Sequence, residues 1–332
     1  MGIIEITLAT AAALTTLTGK SSNQYAKGFW PSKSPGTEEL MCNLLYPEFQ
    51  DKTNRFTLEN YVNKPMDSFY QSRYGALFHD DCLNILPGIK SNIIDTIFAD
   101  PPFNLRKIYG ENTNDSLSEA KYLAWSKTWI QECVRVLKPG GSLFIYNLPR
   151  WNIMYGSYLF DLGMLFRHWI AIAMSTSLPI PGRLYPSHYS LLYYTKGKPN
   201  VFKRIRTPVE LCRHCGKEIK DYGGHRKALN PNGVTLKDVW TDISPVRHWK
   251  FKDKRRGANA LSTKLVSRVI LMSTNVGDIV LDPFGGSGTT FDRCQNLGRF
   301  WIGVEIDYAE EIVSRIQNYH VGGHVSNDYV EK

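Results

Sequence analysis

The sequence predicts an α/β protein on a parallel sheet, interrupted by a basic insert, and three observations carry that reading. Short β-branched or apolar runs alternate with stretches of helical periodicity. Two of those runs end in an acid followed at once by a Pro- or Gly-rich turn: Asp100-Pro101-Pro102-Phe103 and Asp282-Pro283-Phe284-Gly285-Gly286-Ser287-Gly288-Thr289-Thr290. Between them, positions 201–260 hold 15 Lys or Arg against 6 Asp or Glu, an excess equal to the net charge of +9 on all 332 residues.

Residues 1–70 read as an N-terminal extension, with a Ser-, Gly-, Pro- and Lys-rich linker at 18–40. Ala76 to Phe78 is a strand that meets His79-Asp80-Asp81-Cys82 and a helical turn, and Ile93 to Ala99 is the next strand. Tyr122, Trp125, Trp129, Ile130, Cys133, Val136 and Leu137 recur at helical spacing. Lys138-Pro139-Gly140-Gly141 closes that helix before a strand from Ser142 to Tyr146. Residues 168–175 and 187–195 read as an antiparallel edge, completing a half-domain over 71–200. The insert spans 201–257. Regularity returns over 258–322 with a helix from Thr263 to Ser273, a strand into the glycine turn, a helix, and the strand Trp301 to Val304 ending in Glu305; 323–332 is a tail.

No apolar run reaches the ~20 residues needed to cross a bilayer, so no membrane partner is expected. The stretch Ile3 to Leu17 carries Glu5 and lacks a basic flank, which argues against a cleaved signal. Six scattered cysteines suit a reducing, cytoplasmic compartment; Cys133 and Cys294 fall on predicted helix faces and read as core.

A strand that enters a Gly-rich turn and then a helix lets the backbone approach a nucleotide-like ligand, with free N–H groups at the helix start. Glu305 stands 17 positions past Gly288, at the end of the next strand, where it can take two ribose hydroxyls. No Lys follows Gly288, and the third glycine of a dinucleotide fingerprint is missing. An adenosyl cofactor without phosphates remains; an ordinary tight turn explains two glycines but not a third plus a ribose-spaced acid. At the other corner, two prolines fix φ and remove two donors, leaving carbonyls and a carboxylate outward beside the flat face of Phe103. Pro-Pro alone can simply end a strand, but acceptors beside a ring are what a planar amine needs.

The segments Phe98-Ala99-Asp100-Pro101-Pro102-Phe103-Asn104 and Leu281 to Thr290 together resemble the catalytic and cofactor motifs of the S-adenosylmethionine-dependent DNA amino-methyltransferases. The catalytic motif comes 182 positions first, as in their permuted β-group order. The resemblance covers about residues 74–318. It implies a Rossmann-like, doubly wound methyltransferase sheet in which the basic insert is the target recognition module. It implies catalytic roles for Asp100, Pro101, Pro102 and Phe103. Asp81, with Cys82, would sit at the cofactor adenine and Glu305 at its ribose, with Asp282, Phe284, Gly286, Ser287, Gly288, Thr289 and Thr290 forming the cofactor turn. Two positions depart from the family. Phe103 stands where Tyr is common, and Asn259-Ala260-Leu261-Ser262 replaces a Thr-x-Lys-Pro element, leaving Asn259, Ser262 and Lys264 as candidates for the methionine carboxylate.

An exocyclic amine is a poor nucleophile because its lone pair is delocalised into the ring. Hydrogen bonds to Asp100 and the Pro101 carbonyl favour a pyramidal nitrogen that attacks the sulfonium methyl in line, on a base flipped from double-stranded DNA. In the family these motifs resemble, Asp at the first motif position goes with adenine and Ser with cytosine, so the resemblance implies adenine N6 over cytosine N4 for Asp100 followed by Asn104. A catalytically silent nucleic-acid-binding module and an RNA or protein amine methyltransferase are the alternatives. Arg204, Arg206, Arg226, Lys227, Arg247, Arg255 and Arg256 are the candidate DNA contacts. A homodimer and a companion restriction endonuclease are candidate partners. Within the insert, Cys212, Cys215 and His225, with His214 or His248 as a fourth ligand, form a candidate structural zinc site. A segment of about 60 residues with few large apolar side chains has difficulty closing a core alone.

Overall fold

The computed structural model describes residues 55–105, 108–109, 113–174, 181–182, 184–212, 215–217, 223–224, 230–243, 260–317 and 329–330. In chain order its first elements are Tyr70–Gln71 (β1), Gly75–His79 (β2), Cys82–Ile85 (α1), Ile94–Ala99 (β3), Ile108–Tyr109 (β4), Thr113–Asn114 (β5), Glu119–Val136 (α2), Leu137–Asn147 (β6) and Pro149–Asp161 (α3). Leu165–Ala173 (β7), His188–Thr195 (β8), Ile205–Thr207 (β9), Val234–Thr235 (β10) and Val239–Trp240 (β11) follow. Thr263–Ser273 (α4), Ile279–Asp282 (β12), Thr289–Asn296 (α5), Phe300–Glu305 (β13), Ala309–Gln317 (α6) and Tyr329–Val330 (β14) complete the order.

Near-continuous apolar runs are what strands covered on both faces require. β3, β12 and β13 are such runs, and together with β2 and β6 they form the parallel heart of a nine-stranded sheet ordered β1-β2-β13-β12-β3-β6-β8-β7-β11. β8 and β7 continue it antiparallel, as the sequence predicts. The fold is the Rossmann-like α/β sheet expected. Its core runs through Phe98, Phe144, Tyr193, Val266, Val280 and Trp301, with Phe144 and Tyr193 stacked at 4.4 Å. Cys133 and Cys294 are fully buried in it.

Three features differ from the sequence pattern. Lys138 to Gly141 lies inside β6: pairing to β3 passes from Ile94↔Leu137 to Thr96↔Ser142, so the four residues form an irregularity, with Gly140 left-handed at φ 79° and Asn200 packed where a Cβ would stand. Helix α3 has no clear amphipathic signal because its outer face exposes Ile153, Met154 and Phe160. The third concerns the insert: β11 adds to the sheet edge beside β7, and Ile205, Trp240 and Ile243 belong to the main core. Part of the segment read as a separate module is therefore built into the main sheet and core. No described helix is long and apolar enough to cross a membrane.

Candidate active site

Strand pairing gathers the predicted site along one edge. β12 lies between β3 and β13 with Leu281 opposite Ile97 and Asp282 opposite Gly303, and Glu305 on β13 is opposite His79 on β2. Asp100, Asp282, Glu305 and Asp81 thus leave four neighbouring strands at their carboxyl ends, where open α/β sheets bind ligands.

The Asp-Pro-Pro-Phe corner is held by its carbonyls. The Tyr122 hydroxyl of α2 donates to Pro102 O at 2.5 Å, and Trp151 Nε1 of α3 donates to Phe103 O at 2.9 Å. Among the described residues no group hydrogen-bonds the Asp100 carboxylate or the Pro101 carbonyl. Burial, and after it the charge of Asp282, pushes the Asp100 carboxyl well above the usual range. The Phe103 ring lies 6.0 Å from Tyr146 and 5.7 Å from Tyr189, so three aromatic faces wall the corner. Burial and the Asp100 charge raise both tyrosines' pKa values. Asn104, left-handed at φ 55°, donates through Nδ2 to Leu117 O at 2.9 Å and ties down the next loop.

The glycine turn is held from its flanks. Glu305 accepts from Gly286 N at 2.6 Å, Asp307 N at 3.0 Å and Tyr308 N at 3.3 Å. Burial raises its pKa, partly opposed by those bonds. Asp282 accepts from Phe284 N at 3.0 Å and Thr290 Oγ1 at 2.5 Å; burial nevertheless moves it up to about 7. On the outer side, Arg315 of α6 donates to Ser287 O at 2.8 Å, Ser287 Oγ at 3.3 Å and Thr289 Oγ1 at 3.2 Å. The hydroxyls of Ser287, Thr289 and Thr290 are engaged in hydrogen bonds of the turn itself and of Arg315. Gly288, at φ 77°, caps α5; a Cβ there would stand 3.1 Å from Ile312, so its freedom serves the left-handed turn and the packing of α6. Phe284 packs on Trp125 and Trp129 at 5.8 and 5.2 Å.

Asp81 caps α1, accepting from Leu83 N at 2.9 Å. The Cys82 thiol behind it is buried and its pKa strongly raised, chiefly by burial, so it stays neutral. Ser262 caps α4 without a side-chain bond, whereas Lys264 turns away to Asp242 at 2.5 Å, beside the fully buried Arg268. Asn259 lies outside the described residues, as do Arg226, Lys227, Arg247, Arg255, Arg256, His214, His225 and His248. Arg204 is exposed at the start of the insert, and Arg206 is tied to Gly233 O at 2.9 Å. Cys212 and Cys215 lie on one tight turn, neither in a disulfide; no group of three metal-ligating side chains forms among the described residues.

The N6/N4 methyltransferase family model, described as DNA methylase, matches residues 94–318, from β3 through α6. The chain belongs to this DNA methylase family. Type II methyltransferase M.BamHI of Bacillus amyloliquefaciens is 54% identical to it over 283 residues, 85% of this chain and 65% of that protein's length. Type II methyltransferase M.HpaI of Haemophilus parainfluenzae is 35% identical over 253 residues, covering 73% of this chain and 74% of that one. The solved cytosine-N4-specific PvuII DNA methyltransferase shares the fold at a TM-score of 0.56 and 17% identity, over 80% of this chain and 92% of that chain. In this DNA methylase, sequence reasoning missed Tyr122, Trp151 and Arg315. Each reaches its partner across 20 to 48 positions, and no local pattern marks such a bond.

Proposed function

We propose that this chain moves the methyl group of S-adenosylmethionine to an exocyclic amine of a base flipped from double-stranded DNA, in the cytoplasm and as the modification half of a restriction-modification pair. The observation that carries the reading is the contrast at the Asp100 corner. Pro102 O and Phe103 O are tied back, while the Asp100 carboxylate and Pro101 O, free of partners among the described residues, adjoin a ring of three aromatics. Two acceptors and a stacking face match the two protons and plane of an aminated base. The glycine turn and Glu305, along the same edge, fit the cofactor: backbone for its methionine half, and the one lone pair that Glu305 keeps free of its three backbone bonds for a ribose hydroxyl.

Asp100 followed by Asn104 favours adenine N6, with cytosine N4 as the alternative amine that the same two acceptors can hold. DNA from cells expressing the chain, digested to nucleosides and measured by mass spectrometry, tests the reading: N6-methyldeoxyadenosine or N4-methyldeoxycytidine supports it and names the base, and neither sinks it. The exposed Arg204 and the basic residues of the insert supply phosphate contacts, so affinity should fall steeply with salt. A zinc on Cys212, Cys215 and His225 is a separate proposal, supported by the close turn of the two thiols. Elemental analysis of the parent and a Cys212→Ser variant decides it.

A further inference from the structure

The corner that would receive the amine presents three successive acceptors, the carbonyls of Pro101, Pro102 and Phe103, besides the Asp100 carboxylate. Prolines at 101 and 102 contribute no N–H with which neighbouring backbone could fix them. The Phe103 ring contacts Tyr146 and Tyr189, but rings 5.7 to 6.0 Å apart do not fix the direction of a carbonyl. What fixes it is side-chain chemistry from two helices. Tyr122 is 1% exposed, and its hydroxyl, which donates to Pro102 O, accepts in turn from Asn147 Nδ2 at 3.3 Å. Asn147 is fully buried at the end of β6 and spends its oxygen on Leu148 N at 2.6 Å, at the start of α3. Trp151, one turn further along α3 and 2% exposed, holds Phe103 O; its ring lies 4.6 Å from that of Tyr122. The chain Asn147, Tyr122, Pro102 and the pair Trp151, Phe103 make one buried brace behind the corner.

We infer that Tyr122 and Trp151 are positioning residues of the transfer reaction: by binding the Pro102 and Phe103 carbonyls they select the Pro101 carbonyl as the partner of Asp100. Without the Tyr122 hydroxyl, Pro102 O is an unsatisfied acceptor at the same corner. It then competes for the amine proton with the wrong direction, and the nitrogen lone pair is no longer aimed at the methyl. A misplacement of this kind lowers turnover without changing how either substrate is bound at a distance.

The inference rests on the methyl-transfer reading above, so the parent enzyme is assayed first on DNA with labelled S-adenosylmethionine. Absence of transfer overturns that reading, whereas the variants test the brace. Tyr122→Phe and Trp151→Phe each keep an aromatic ring and remove one donor. Tyr194→Phe is the control: it removes a comparable buried bond, to Gly156 O at 3.1 Å, which ties α3 to β8 and touches no carbonyl of the corner. The expected result is a roughly tenfold lower kcat in Tyr122→Phe and in Trp151→Phe, from one hydrogen bond each, with cofactor Kd and KM for DNA within twofold of the parent. Turnover within twofold of the parent in both variants overturns the inference. A loss of kcat shared equally by Tyr194→Phe also overturns it, because the brace would then act only through general stability.

Discussion

The two turns at the carboxyl edge of the sheet are made from opposite backbones and held by opposite chemistry. Asp100-Pro101-Pro102-Phe103 is poor in donors, so it is fixed through its carbonyls, by the hydroxyl of Tyr122 and the indole of Trp151. The turn from Gly285 to Gly288 is rich in donors and conformationally loose, and charged groups fix it: Glu305 on Gly286 N, Arg315 on Ser287 O. On the proposed reading, the first corner keeps acceptors in reserve for an amine, and the second has its hydroxyls engaged so that backbone faces a ligand.

The sharpest way to break this comparison is Asp100→Ala. Loss of the carboxylate should lower kcat by about 10³, with cofactor Kd within twofold, because only the acceptor corner is touched. Cofactor loss measured by calorimetry would move Asp100 into the other turn. Gly288→Val attacks the opposite side. It forces a β-branched residue into a left-handed conformation and against Ile312, so cofactor Kd should rise about 100-fold, with strain of about 1–3 kcal/mol visible as a lower Tm. Normal cofactor affinity at a lowered Tm would show that the turn is not the cofactor site. Arg315→Ala is milder: a roughly tenfold weaker Kd, partly restored in Arg315→Lys, and kcat at saturating cofactor within twofold. An equal fall in kcat would mean that the two turns are not separately held.

The smallest effect concerns protons. Asp282 has a folded pKa of about 7 against an ordinary 3.8, so the folded protein binds this proton more tightly than the unfolded chain does. Stability should therefore decline as pH rises from about 4 to about 7, by a few kcal/mol at most. Asp282→Asn, unfolded in denaturant at pH 5 and pH 8, should show a flatter dependence; an unchanged slope would relieve Asp282 of that role.

How much of this was legible in the sequence follows from the same contrast. Asp100, Glu305 and both turns could be read because Pro-Pro and repeated Gly are rare backbone choices that stand out locally. Tyr122 was read only as an apolar helical position, since in the linear chain nothing distinguishes a core tyrosine from one whose hydroxyl ends on Pro102 O. Arg315 lies beyond the last strand the sequence pattern marks, and nothing local links it to a turn 28 positions away. α3 was missed because Ile153, Met154 and Phe160 face outward and erase the amphipathic period. β11 was missed because two residues, Val239 and Trp240, are too short a run to register as a strand.

That short strand has a consequence for any exchange of the basic insert between chains. Trp240 is buried in the common core, and Asp242, two residues on, grips the buried Arg268 of α4 at 2.6 Å. Cutting the basic insert out at 201 and 257 would remove a strand of the common sheet and leave Arg268 buried without its carboxylate. A chimera made by exchanging the insert should stay folded only when the edge strand and the Asp242–Arg268 clasp travel together, which a comparison of Tm between the two cuts would check.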